Sequence, residues 1–314
     1  MGVALGSEIT GKEGKLMDSF KKRNLFLAII LVLVVTIVAV SAFLLARGPR
    51  ESSVELVSRT ESGDLLVNDL YDGEMTIPYY DIPTNSLKLE DFSEKNGVIT
   101  YDGGDSSVGI NVSYKAGTID WAQVKESGVD FALIRVGYRG VERGQLVLDK
   151  NFEVNITGAT EAGLPVGVYF YSKAVTNAEA EEEATFVLEQ IREYNITYPV
   201  AYFWEYDYND DGSMNQNSRT IQCNGDQVTG FIETFCNKVS SAGYTASYYA
   251  TKAMGYETLD LSKLASYDLW YAEYRTAPSF YYDFEMWQYT QEGTVPGISE
   301  KVPVTLALTK YPKK

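Results

Sequence analysis

Between Val200 and Tyr206 the chain reads Val-Ala-Tyr-Phe-Trp-Glu-Tyr, and Glu205 is the only charged residue in that run. A carboxyl group set among Phe, Trp and Tyr is desolvated and its pKa rises, which is the property a general acid needs. Cleavage of a glycosidic bond is one chemistry that such an acid can serve. That reaction calls for a second group across the bond: a base, a nucleophile or an orienter of the sugar's own acetamido group. A strand-end glutamate held by a neighbouring Arg or Lys fits the same run, so both readings stand at this point. Other chemistries fall on composition. The chain has no histidine, which removes Ser-His-Asp and Cys-His catalysis and any His-ligated zinc hydrolase. Its two cysteines are too few for a thiolate zinc site. The loop after Glu205 alternates Asp207, Asn209 and Asp211 before Gly212, with Asp210 between them. That spacing is similar to a calcium loop but lacks the terminal bidentate Glu, and a solvated loop is the expectation. No metal and no cofactor is expected.

The elements that must position Glu205 follow from periodicity. Val200–Glu205 reads as a buried strand, with Phe203, Glu205 and Asp207 on one face. Further strands are expected at 109–113, 131–136, 166–171, 244–249, 268–271, 284–289 and 302–308. Helices are expected at 120–127, 151–162, 177–194 and 226–242. Asp120 stands at an N-cap position with Gln123 three residues on, and Gly128 supplies a left-handed stop. Cys236 falls inside the last of these helices and Cys223 just before it, too far apart along a helix to pair, so two buried free thiols are expected. Strands alternating with helices argue for an α/β barrel, whose chemistry gathers at the C-terminal ends of the strands. Arg135, alone in an apolar strand, needs a carboxylate partner, and Glu205 is the candidate.

Several segments also carry a resemblance. Gly109-Ile110-Asn111-Val112-Ser113, Ile119-Asp120-Trp121 and Ile134-Arg135-Val136-Gly137-Tyr138 resemble the opening strand, loop and second strand of the family-25 glycoside hydrolases, the lysozyme-like muramidases. Leu269-Trp270-Tyr271-Ala272-Glu273-Tyr274 and Met286-Trp287-Gln288-Tyr289 resemble the family's Trp-x-Ala-x-Tyr and Trp-Gln-Tyr strands. The resemblance implies an irregular TIM-like (β/α) barrel over residues 108–314, with helices missing from its second half. It implies a residual general acid at Glu205. It also implies that family acids have been replaced at Asn111, Phe203 and Pro303, the last beside Thr305, and that a family histidine has been replaced at Phe170. Residues left to bind sugar would be Arg135, Tyr169, Tyr171, Trp270, Tyr274, Trp287 and Tyr289.

The rest of the chain places this domain. Residues 1–24 are a polar tail with Lys21-Lys22-Arg23, and Leu25–Ala46 is an apolar run long enough to span about 30 Å of hydrocarbon. The basic cluster before it puts the N-terminus in the cytoplasm and the barrel outside the cell membrane. Residues 47–107 are acidic and rich in Gly, Pro, Asn and Asp, and read as a stalk, with short strands or a β-ribbon expected at 65–70 and 98–101, that ends in a short packed segment. A net charge of −16 argues against nucleic acid. The expected partners are peptidoglycan or another cell-wall glycan, a cell-envelope protein, and the membrane through Leu25–Ala46. Three functions are compatible with these residues: a catalytically impaired wall-binding domain, an active muramidase with Glu205 as acid, or a scaffold that touches no glycan.

Overall fold

The computed structural model describes residues 51–314 except Asn96, Asp210 and Lys314. The expected tail and membrane span therefore lie outside the described residues. Among those described, no helix is long and apolar enough to cross a membrane.

Residues expected to be a stalk are folded. Strands β1 (Val54–Arg59), β2 (Leu65–Asp69) and β3 (Gly73–Ile77) form an antiparallel sheet, and β4 (Phe92–Lys95) pairs with β5 (Val98–Tyr101). This upstream part packs on residues from the second half of the chain. Lys252 bridges Asp69 at 2.9 Å and Glu273 at 2.9 Å, Tyr80 donates to the Leu259 carbonyl at 3.0 Å, and Phe92 meets Trp287 edge-on at 5.6 Å. Asp69 is fully buried, and a buried carboxylate keeps its charge only beside such a cation.

From residue 107 on, the chain closes a barrel. Its strands are β6 (Ser107–Val112), β7 (Phe131–Arg139), β9 (Val166–Ser172), β10 (Val200–Trp204), β11 (Ala246–Thr251), β12 (Asp268–Ala272), β13 (Met286–Gly293) and β14 (Val302–Ala307). Short β8 (Leu146–Leu148) flanks β7 outside the ring. Pairing of β6 with β7 completes the circle. Helices α1 (Trp121–Glu126), α2 (Phe152–Glu161), α3 (Asn177–Ile191), α4 (Gly225–Ser241) and the single turn α5 (Leu261–Leu264) cover part of it. All eight barrel strands and the four longer helices fall where hydrophobic periodicity puts them. Asp120 caps α1 as expected, accepting from the Gln123 amide, and Asn224 with Gln227, not foreseen, forms a full capping box at α4.

The barrel is not TIM-like. Its strands are mixed, because β14 runs antiparallel to both β13 and β6. A parallel crossover needs a dozen or more residues, and only Thr294–Lys301 separates β13 from β14. The strand has to return antiparallel. No helix lies between β12 and β13 or between β13 and β14, as the family resemblance implies for the second half.

One buried carboxylate joins the helix layer to the ring. Glu183 of α3 accepts from Arg139 of β7 at 2.6 Å, Ser172 of β9 at 2.8 Å and Tyr202 of β10 at 2.7 Å. Burial nevertheless raises its pKa from 4.5 to about 6, against the pull of Arg139 and the two hydroxyls. A carboxyl raised in the folded state binds its proton more tightly there. Its contribution to stability is complete below 4.5 and is lost as pH rises through about 6. Denaturant titrations at successive pH values should show this group removing about 2 kcal/mol across that window. Glu183→Gln should flatten the slope, and an unchanged slope would contradict the assignment.

Candidate active site

Alternation along each barrel strand decides which side chains reach the interior. Asn111 of β6, Arg135 of β7, Tyr169 and Tyr171 of β9, Phe203 of β10, Trp270 of β12, Gln288 of β13 and Pro303 of β14 line one central cleft of about 220 Å³. Ser113, Lys115, Gln291 and Lys301 complete its polar wall. Thus seven expected site positions meet: Asn111, Arg135, Tyr169, Tyr171, Phe203, Trp270 and Pro303.

Trp287, Tyr289, Phe170 and Tyr274 do not line this cleft. Trp287 and Tyr289 sit on the outer face of β13, one register step from Gln288. Trp287 is fully buried, packs against Phe92 and Tyr289, and donates to the Glu273 carbonyl at 2.8 Å. It is a core residue that seats the upstream hairpin. Phe170, expected at the site, points outward between Tyr169 and Tyr171 and packs edge-on against Phe186 of α3 at 6.0 Å. The same period of two that brings Tyr169 and Tyr171 inward must turn Phe170 away. Tyr274 is 47% exposed beyond the end of β12, where its hydroxyl accepts from Gln288 at 3.0 Å and from Gln291.

The floor is aromatic. Phe203 stacks on Tyr249 at 3.7 Å and 14°, and Trp270 stands edge-on to Phe203, Tyr249 and Tyr169. Phe203, the position at which the resemblance implies a replaced acid, is thus a ring held in a stack. Beside it runs a chain of neutral hydrogen bonds. Trp270 Nε1 donates to Thr305 Oγ1 at 3.2 Å, Thr305 donates to Asn111 Oδ1 at 3.1 Å, and Asn111 Nδ2 donates to Gln288 Oε1 at 2.7 Å. Gln288 then donates to Tyr274. An aspartate at 111 could accept from Thr305 but could not donate to Gln288.

Arg135 does not pair with Glu205. Its Nε donates to Asp149 Oδ2 at 2.8 Å, and Nη2 lies 2.7 Å from the same oxygen. Asp149 is fully buried just after β8 and also accepts from the backbone amides of Tyr114 and Asn151. That pair fixes the turn that carries Ser113 and Lys115.

Glu205 itself stands immediately after β10, at the edge of the cleft, where Tyr171 donates to its Oε1 at 2.7 Å. Burial raises its pKa above 4.5, while the Tyr171 bond and the Lys173 ammonium pull the other way. Lys173, fully buried, donates to the carbonyl oxygens of Glu205 and Tyr206 at 2.9 and 3.3 Å and so fixes the backbone that carries the acid. Asp207 is taken up elsewhere: it accepts from Asn215 at 2.8 Å and lies 3.9 Å from Lys173. Among the described residues lining the cleft there is no carboxylate. Nor do the described residues contain a cluster of acids, cysteines or histidines able to hold a metal ion. Cys223 and Cys236 are buried and free.

Sequence reasoning missed Asp149, Gln288, Gln291, Lys115 and Lys301 as parts of the site. For Gln288 the signal was present, since it is the polar residue in an apolar strand and faces away from both Trp287 and Tyr289. For Asp149 there was none, because its partner is reached across a loop.

Comparison with known proteins agrees with this geometry. The profile described as glycosyl hydrolases family 25 matches residues 110–298. The chain is 27% identical over 204 residues to Lysozyme M1 of Streptomyces globisporus, covering 62% of this chain and 65% of that protein. It is 25% identical over 192 residues to an autolytic lysozyme of Clostridium acetobutylicum, covering 61% of this chain and 52% of that protein. It therefore spans about half to two thirds of the length of these relatives. The modular autolysin LytC of Streptococcus pneumoniae, solved with a synthetic peptidoglycan ligand, shares the fold with a TM-score of 0.54 at 22% identity, over 80% of this chain and 57% of that one.

In a carboxyl-resolved NMR titration Glu205 should titrate above 4.5. Tyr171→Phe should raise it further by removing a donor to the charged form. A midpoint that falls in the variant would contradict the geometry.

Proposed function

The chain belongs to glycosyl hydrolases family 25, and from that membership we propose that its lysozyme-like barrel grips a cell-wall glycan without cutting it. One observation carries the reading: no described carboxylate lines the cleft. Glycosidic cleavage by paired carboxyls needs them about 5–5.5 Å or 6.5–9.5 Å apart across the bond. Among the described residues lining the cleft Glu205 finds no such companion, and Asp207, which follows it on the same strand end, is held by Asn215. What remains suits binding. Tyr169, Tyr171 and Phe203 offer apolar faces over a floor closed by the buried Trp270, and the Asn111, Gln288 and Gln291 amides offer donors and acceptors for hydroxyl and acetamido groups. The peptidoglycan ligand seen with LytC supports peptidoglycan as the glycan. The apolar run Leu25–Ala46 would anchor the chain in the cell membrane with the barrel on the outer side, facing the wall.

A second reading has its own support. Glu205 is freed from Arg135 by Asp149, and burial raises its pKa. An acid so placed can protonate a leaving group while the substrate's acetamido group, oriented by Asn111, takes the part of the missing partner.

Co-sedimentation with insoluble walls, followed by a clearing assay on the same samples, separates the two. The wild type should pellet with the walls and leave their turbidity unchanged, and Tyr169→Ala should weaken retention. Asn111→Asp alone should not produce clearing, because Phe203 still occupies the position of the other acid. Clearing by the wild type that disappears in Glu205→Gln would establish the second reading instead. No retention at all would leave a scaffold that touches no glycan.

A further inference from the structure

The charged residues lining the central cleft are Lys115, Arg135 and Lys301, all cations. The chain as a whole carries 43 acidic against 27 basic side chains, so a cleft walled by one sign, and that the minority sign, is not what its composition supplies. Arg135 is neutralised by Asp149. Neither Lys115 nor Lys301 makes an ion pair among the described residues, and Lys301 donates only to the Thr294 hydroxyl. Their placement follows from the fold. Antiparallel pairing of Val304 with Ile110 brings the start of β14 and the end of β6 to the same end of the barrel, so Lys301 and Lys115 stand on one wall. Lys115 is held in a short turn in which Ser113 accepts from its amide at 3.3 Å and Tyr114 donates to Asp149 at 3.1 Å. Next to this wall lie the neutral amides of Asn111, Gln288 and Gln291. A sugar-sized site with an aromatic floor, amides along its side and two uncompensated ammonium groups beside them suits an anionic sugar.

We propose that the cleft is an anion-binding site in which Lys115 and Lys301 together take a negatively charged substituent of the wall glycan. The proposal rests on the reading that the cleft holds wall glycan, and it names the chemistry that reading leaves open. The anion is a carboxylate borne by peptidoglycan or a phosphodiester borne by a polymer attached to it. Replacing an acidic cleft by a basic one also changes what the site can do. Two fixed cations hold an anionic ligand more tightly, and they offer no group able to activate water.

The test uses the full-length chain in detergent and co-sedimentation with three wall preparations: intact walls, walls freed of phosphodiester polymers, and the latter with carboxylates amidated. Apparent affinity is read at increasing sodium chloride for the wild type, Lys115→Gln, Lys301→Gln and the double variant. Two controls accompany them: Lys125→Gln, a surface lysine of α1 outside the cleft, and a double Lys→Arg variant that keeps the charge. Wild-type affinity should fall as salt rises. The double Gln variant should bind about five-fold more weakly at low salt and respond less to salt, while Lys125→Gln and the double Arg variant behave as wild type. Loss on removing phosphodiesters assigns the anion as phosphate, and loss only on amidation assigns it as carboxylate. Equal binding and equal salt response in wild type and double Gln variant would overturn the proposal and leave a cleft for neutral glycan. Failure of the wild type to bind any wall would overturn the functional reading beneath it.

Discussion

The hydrogen-bond chain from Trp270 through Thr305, Asn111 and Gln288 to Tyr274 is the constraint on which the site depends. It laces four adjacent strands of the ring, β12, β14, β6 and β13, and each link is neutral. Buried polar groups must be paired, so the type of each residue in the chain is set by its neighbours. Asn111 satisfies two of them at once, accepting from Thr305 and donating to Gln288. A carboxylate in its place would face the Gln288 oxygen, and relief would require that amide to turn and the Tyr274 hydroxyl to become the donor. The neutral amide at 111 thus satisfies both neighbours as they stand. On the other side of the cleft Phe203 is held by its stack on Tyr249.

Around this neutral chain the buried ionised groups are each tied to structure. Arg135 and Asp149 hold the turn after β6, Lys173 holds the backbone of Glu205, and Glu183 joins α3 to three strands. Lys252 joins the upstream sheet to the barrel through Asp69 and Glu273. Breaking any of these buried pairs costs several kcal/mol, on the order of 3–5, because one charge is left without its partner. The cleft keeps its shape because its charged supports are engaged behind it.

Most of the barrel was legible in the sequence. Apolar runs of strand length alternating with capped helices give all eight ring strands, and Asp120 and Gly128 mark the limits of α1. The direction of β14 was not legible from such runs, since an apolar strand reads the same either way and only the short connection from Thr294 to Lys301 reveals it. Residues 51–107 were read as connector because Gly, Pro, Asn and Asp crowd its turns. Its core contribution is a few side chains, Val54, Leu65, Val67 and Ile77 among them, buried at 7% exposure or less. At the site, motif likeness and strand alternation disagreed at Phe170, Trp287 and Tyr289, and alternation was the better guide. The Arg135 partner was beyond sequence, because a buried cation states that a carboxylate is near without saying which.

The central claim is that a family-25 barrel holds its glycan with no second carboxyl to complete the reaction. The most direct measurement is mass spectrometry of purified peptidoglycan after prolonged incubation with the full-length chain, read for new reducing-end sugars. The account predicts a fragment pattern identical to that of peptidoglycan incubated without protein. New reducing ends that accumulate with time and vanish in Glu205→Gln would contradict it.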